Sequence, residues 1–163
     1  DPDPVVWFEP KRIYRQYKEE VADDGEALPL DVCFVLRDGS DVTLVTWGAQ
    51  VKETLEAAEK LAAEGISAEV IDVATLTPLD FPTIAESVAK TGRCVIVHEA
   101  AKTAGFGAEI AARVAEECLF DLLAPVERVT GYDTHIPLFR LEMKYLPSVD
   151  KIVAAARRAM AYS

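Results

Sequence analysis

The chain has 163 residues, 50% of them hydrophobic and 28% charged, with 17 basic and 28 acidic side chains for a net charge of −11. The apolar share excludes a disordered chain, and the length suits one domain that buries about two-thirds of its unfolded surface. The negative field repels a phosphate backbone, so nucleic acid is not an expected partner, whereas a basic protein is.

Residues 1–31 stand apart from the rest. Pro2, Pro4, Pro10 and Pro29 interrupt any regular element, and Asp23-Asp24-Gly25 marks a turn. Residues 5–9 form a short apolar run of strand type between prolines. One strand cannot stand alone, so it is expected to join a sheet in a preceding domain or to lie as a strap on this one. The opening Asp1-Pro2-Asp3-Pro4 carries no methionine, and the chain is expected to be part of a longer one.

From Asp31 the pattern becomes regular. Strands are predicted over 32–36 and 42–46, around an Asp38-Gly39-Ser40 turn. A helix is predicted over 49–64, with Val51, Leu55, Ala58 and Leu61 on one face, charges on the other and Gly65 as its stop. A strand over 68–73 follows. Asp80 caps a helix that begins Phe81-Pro82 and ends at Gly92. Residues 94–98 are nearly all apolar, as in a strand covered on both faces. A loop over 99–106 leads to a helix over 107–123, with Ile110, Val114, Ala115 and Leu122 inward. A last strand over 126–130 and a last helix over 149–160, with Ile152, Val153 and Ala156 inward, complete the chain. Strands alternating with helices predict a mostly parallel sheet covered on both sides, a three-layer α/β/α fold.

Chemistry in such folds lies at the carboxyl ends of the strands. Gly105-Phe106-Gly107 precedes a helix, but a dinucleotide fingerprint needs a small residue where Ile110 stands. His98-Glu99 opens like a zinc protease motif, but Lys102 replaces the second histidine. The remaining reading is a histidine that closes a buried strand beside a polar neighbour. There is no Gly-x-Ser-x-Gly elbow. Cys33, Cys94 and Cys118 are scattered and form no Cys-x-x-Cys pair, which excludes a disulfide framework and a zinc site and fits a reducing, cytosolic interior. No apolar run reaches the roughly 18–20 residues of a membrane helix. Asp133 and His135 lie in a loop of turn formers, where Asp133 either caps its own backbone or helps offer the loop to a partner. These residues assemble no complete active site.

Several stretches in order carry a resemblance: Val5-Val6-Trp7-Phe8-Glu9-Pro10-Lys11-Arg12, Ser40-Asp41-Val42-Thr43-Leu44-Val45-Thr46-Trp47-Gly48, Thr77-Pro78-Leu79-Asp80, His98-Glu99-Ala100, Gly105-Phe106-Gly107-Ala108-Glu109-Ile110 and Arg128-Val129-Thr130-Gly131-Tyr132-Asp133-Thr134. Together they resemble the β subunit of 2-oxo acid dehydrogenases, and Phe8-Glu9-Pro10-Lys11 and Gly131-Tyr132-Asp133-Thr134 look more like the branched-chain enzyme than the pyruvate enzyme. Ala74 and His135 depart from it, standing where the family usually carries arginine and many members carry proline, so an interaction of that arginine is not carried over.

The resemblance implies a transketolase C-terminal-like domain over 32–163: a five-stranded mixed sheet with one antiparallel edge strand. Residues 1–31 would be the end of a pyrimidine-binding domain and a linker. The parent would be an α2β2 decarboxylase using thiamine diphosphate and magnesium, working with a lipoyl acyltransferase, in the cytoplasm or in the mitochondrial matrix of a eukaryote. The cofactor would be held by the α subunit and the pyrimidine-binding domain, so no catalytic, cofactor or metal residue is placed on this chain. This domain would serve contacts with the α subunit and a second β subunit, and would receive the acyltransferase's basic subunit-binding domain on acids such as Asp133, Glu142 and Asp150. The alternatives are a free-standing doubly wound binding module and a complete small enzyme. The first lacks a cluster of acids facing a lysine; the second lacks a nucleophile and a cofactor loop.

Overall fold

The structure is a computed structural model that describes residues 2–18, 20–25 and 27–162. Five strands form one sheet: β1 (Phe34–Arg37), β2 (Val42–Thr46), β3 (Ala68–Asp72), β4 (Cys94–Ala101) and β5 (Glu127–Gly131). Their spatial order is β1-β3-β2-β4-β5. β1 runs antiparallel to β3, with a register shift between Val35 and Arg37, and every other pairing is parallel. The expected mixed sheet with one antiparallel edge strand is therefore what forms.

All five residues of β2 are buried, because the strand has neighbours on both sides and helices on both faces. Val42 and Leu44 face α1 (Val51–Ala63) and α5 (Val149–Met160), through Ala57, Ala58, Leu61, Ile152 and Ala156. Val45 faces α2 (Phe81–Thr91) and α3 (Gly107–Glu117), through Phe81, Ile84, Val88, Ile110 and Val114. The period-2 alternation of a strand thus divides the interior into two cores. The second also holds polar links. The Thr43 hydroxyl lies 2.6 Å from that of Ser87 and 2.8 Å from that of Thr91, and buried Glu69 pairs with Lys90.

Caps set the helix ends. Asp80 accepts hydrogen bonds from the Thr83 N–H (3.4 Å) and hydroxyl (2.7 Å) and from the Cys33 N–H (2.8 Å), so one carboxylate starts α2 and pins the chain entering β1. Gly92 ends α2 with φ 68°, a left-handed conformation that favours glycine. Ser148 accepts from the Lys151 N–H and starts α5, whose limits match the sequence reading.

Elsewhere the structure corrects that reading. Residues 5–9 pair with no strand among the described residues, and with Trp7 72% and Phe8 84% exposed they do not lie as a strap on the sheet. β4 continues past His98 to Ala101, because after a register shift Ala101 pairs with Gly131. The expected loop over 99–106 is correspondingly shorter. α3 stops at Glu117, six residues early. The Cys118 N–H closes on Val114, and the chain turns so that the Leu123 N–H reaches the Gly92 carbonyl at 2.8 Å. Ala115 is exposed, since the inward stripe runs Gly107, Ile110, Val114 and Cys118. The predicted helix over 49–64 splits into a 3-10 turn (Gly48–Gln50) and α1. A single helical turn, α4 (Glu142–Tyr145), was not expected.

Candidate functional site

The carboxyl ends of β2 and β4 lie side by side and carry Trp47 and His98. The two rings stack at 5.2 Å with 9° between their planes, and Phe106 meets the indole edge-on at 6.0 Å. The imidazole is 1% exposed. A Cβ at Gly105 would fall 2.6 Å from its ring, and one at Gly107 would fall 2.5 Å from it. The two glycines let the backbone close over the histidine. The sequence reading expected a polar neighbour for His98, and that is corrected: neither ring nitrogen has a hydrogen-bond partner within the described protein. Burial, reinforced by the charge of Arg128, lowers the His98 pKa to about 4, so the ring is neutral at pH 7.

Beside this stack, the N-terminal segment is tied to the domain. Arg12, in a 3-10 turn (Lys11–Ile13), grips Glu53 of α1 with both arms, at 2.6 and 3.1 Å, and donates to the Ala49 carbonyl at 2.9 Å. Glu99 lies 3.5 Å from the same guanidinium and accepts from the Gln50 amide at 3.3 Å. Gln50 is buried, and its backbone carbonyl accepts from the Thr54 hydroxyl. A two-armed, partly desolvated arginine clamp has fixed geometry and more strength than a surface pair. The buried polar atoms that lack a partner among the described residues belong to Arg12, Thr46, Gln50 and His98, all at this end of the sheet.

The chemistry available here is recognition and packing. Burial, with lesser help from Asp80 and Asp72, pushes the Cys33 thiol up to about 12, and burial with Cys118 pushes Cys94 up to about 12, so neither supplies a thiolate near neutral pH. Thiamine diphosphate with magnesium would need a metal-binding cluster and open room for the diphosphate. Among the described residues no three histidine, cysteine or acidic side chains gather to hold a metal. The room at the α3 N-terminus that Gly105 and Gly107 create is filled by the His98 ring. These residues do not fit the cofactor.

The sequence model of the family described as "Transketolase, C-terminal domain" matches residues 32–152. The chain belongs to that family. Among curated relatives, it is 50% identical over 162 residues to 2-oxoisovalerate dehydrogenase subunit beta 2, mitochondrial, of Arabidopsis thaliana, covering 99% of this chain and 45% of the relative. It is 45% identical to the corresponding mitochondrial beta subunit of Dictyostelium discoideum (98% and 43% covered), and 40% identical to the pyruvate dehydrogenase E1 component subunit beta of Bacillus subtilis (99% and 50%). The chain spans about half the length of the curated relatives it matches. Among solved structures, a split-gene transketolase described as an inactive beta4 tetramer superposes with TM-score 0.74 at 33% identity, over 88% of this chain and 46% of that one.

Within this transketolase C-terminal domain the three acids expected at a docking surface sit on three different segments. Asp133, just past β5, accepts from the Thr103 N–H (2.8 Å) and hydroxyl (2.7 Å), which holds its carboxyl below the usual range. Glu142 opens α4, exposed. Asp150, in the first turn of α5, pairs with Lys60 of α1 at 3.0 Å. His135 is exposed, and Ala74 sits in the left-handed region (φ 50°), with its N–H on Asp72. Sequence reading missed the Arg12–Glu53–Glu99–Gln50 network. Arg12 lies 38 to 87 positions before the other members, and only the fold brings it to them. Among the described residues, no helix is long and apolar enough to cross a membrane.

Proposed function

We propose that this chain is the C-terminal part of the β subunit of a 2-oxo acid dehydrogenase, of the branched-chain (3-methyl-2-oxobutanoate) type, and that it serves assembly and docking. The carrying observation is 50% identity sustained over 99% of the chain with a 2-oxoisovalerate dehydrogenase β subunit, segment 1–31 included. Residues 1–31 then belong to the end of the pyrimidine-binding domain and its linker, and residues 32–163 to the C-terminal domain. The Arg12 clamp supports this division, since it fastens such a linker to the carboxyl end of the sheet. A pyruvate-type β subunit is the second reading, supported by relatives at 39–44% identity.

In the parent, thiamine diphosphate and magnesium supply the chemistry that decarboxylates a 2-oxo acid, on polypeptide outside this chain. This domain contacts an α subunit and a second β subunit, and its acidic surface receives the basic subunit-binding domain of the lipoyl acyltransferase. Asp133, Glu142 and Asp150 are the proposed contributors, with Glu142 and Asp150 facing solvent. Opposite fields raise the encounter rate and set orientation. The compartment is the cytoplasm, or the mitochondrial matrix in a eukaryote.

The test joins the full-length subunit to its α partner with thiamine diphosphate and magnesium, then compares kcat/KM for 3-methyl-2-oxobutanoate and pyruvate. The branched-chain acid is expected to be preferred. Preference for pyruvate decides for the second reading, and failure to pair with any α subunit overturns both. Docking is read separately, as the association rate of a basic binding-domain peptide at low and high salt. A rate that does not fall with salt removes the electrostatic part.

A further inference from the structure

We propose that the cleft between β5 and α5 is a binding site for a phosphate monoester. The cleft, about 380 Å³, follows the outer edge of β5 from Arg128 to Asp133 and is walled by Lys151, Ala154 and Arg158 of α5 and by Lys102 beyond β4. That volume is within the range of small-molecule sites. In a chain of net charge −11, these walls bring together four cations and one carboxylate.

The partners show which charges are already used. Arg158 is held by both oxygens of Glu127, at 3.2 and 2.7 Å. The Asp133 carboxylate is turned to Thr103, which donates to each of its oxygens. Lys102, Arg128 and Lys151 have no carboxylate within 4.0 Å among the described residues. Arg128 donates one arm to the Lys102 carbonyl at 2.9 Å, which fixes the guanidinium and leaves its other donors. The Lys151 ammonium donates to the carbonyls of Lys144 (3.2 Å) and Leu146 (3.1 Å) and stands 4.8 Å over the Tyr132 ring, with a third N–H left over. It also lies in the first turn of α5, where the helix dipole disfavours a cation.

Arg128 and Lys151 lack a carboxylate partner at ion-pair distance among the described residues, and the charge of Lys102 is only partly answered by Asp133, so this surplus matches a dianion better than a single carboxylate. A phosphate monoester carries about two negative charges near neutral pH. Val129, Ala154 and the Tyr132 ring offer its organic part an apolar wall. Asp133 belongs to both the cleft and the proposed docking acids, so Lys151, which has no carboxylate partner among the described residues, separates the readings: removing it leaves Asp133, Glu142 and Asp150 in place.

The test follows backbone amides of the full chain by NMR during titration with phenyl phosphate, inorganic phosphate and benzoate at constant ionic strength. Phenyl phosphate is expected to saturate shifts confined to 128–133 and 151–158, and to bind about tenfold tighter than benzoate, the worth of one charge-assisted contact. K102M and K151M are each expected to weaken it about tenfold while keeping the wild-type amide pattern elsewhere. Inorganic phosphate binding as tightly as phenyl phosphate keeps the phosphate site and removes the organic part. Shifts that never saturate, shifts spread over the whole surface, or benzoate binding equally well overturn the proposal on the wild-type protein alone.

Discussion

Residues 2–31 and the sheet that follows are rich in the same side chains and meet opposite fates. Val5, Val6, Trp7 and Phe8 are between 56% and 84% exposed, while Val42, Leu44 and Val45 are 0% exposed. The difference lies in what surrounds the backbone. β2 has β3 and β4 beside it and two helices on each face, so its backbone is paired and its apolar side chains are covered. The N-terminal run has no strand beside it and keeps its apolar groups in solvent. Hydrophobic character marks what can be buried; hydrogen-bonded neighbours decide whether it is.

The sharpest way to break that contrast is to hollow the core. Phe81→Ala removes the largest side chain fully buried between α2 and the sheet and is expected to cost about 3–5 kcal/mol in denaturant unfolding, whereas Phe8→Ala changes nothing measurable. Gly107→Ala comes next, at about 2 kcal/mol, because the new methyl meets the His98 ring. Combining it with His98→Ala should recover part of the loss, and a double variant no more stable than G107A alone would refute the crowding argument.

His98 also predicts a pH response. Its folded pKa of about 4 lies below the unfolded value of 6.5, so the unfolded chain binds the proton more readily. Its contribution to stability is full above about pH 6.5 and is lost as the pH falls towards 4. In His98→Gln, the slope of unfolding free energy between pH 6.5 and 4.5 should flatten, and an unchanged slope would locate the effect elsewhere.

Much of this architecture is legible in the sequence. β2 and α5 occupy the predicted residues, because a strand buried on both faces and a capped amphipathic helix each leave a periodic trace. α4 leaves none, being one turn without a side-chain cap. The run at 5–9 reads as a strand because a local pattern cannot report whether a partner strand lies beside it. Glu99 reads as loop because it is charged, yet it sits in β4, near enough to Arg12 to pair. Composition likewise averages away the basic cleft inside an acidic chain.

Smaller effects separate the two regions rather than damage either. Arg12→Ala should speed proteolytic cleavage within 14–31 several-fold while shifting global unfolding by less than about 1 kcal/mol, since local release does not require the sheet to open. If cleavage is unchanged, the clamp does not hold the segment. Asp150→Asn should leave the melting midpoint where it was, because its pair with Lys60 is exposed on both sides.

The two borders of the sheet bear on self-association. β1 is four residues long and loses register between Val35 and Arg37, so it presents no flat row of amides to a neighbouring molecule. Lys102, Arg128, Lys151 and Arg158 line the cleft along β5, and a second copy brought alongside would set like charges against each other. Both flanks discourage strand-by-strand stacking, and crowded copies of this domain are therefore guarded against growing into fibrils.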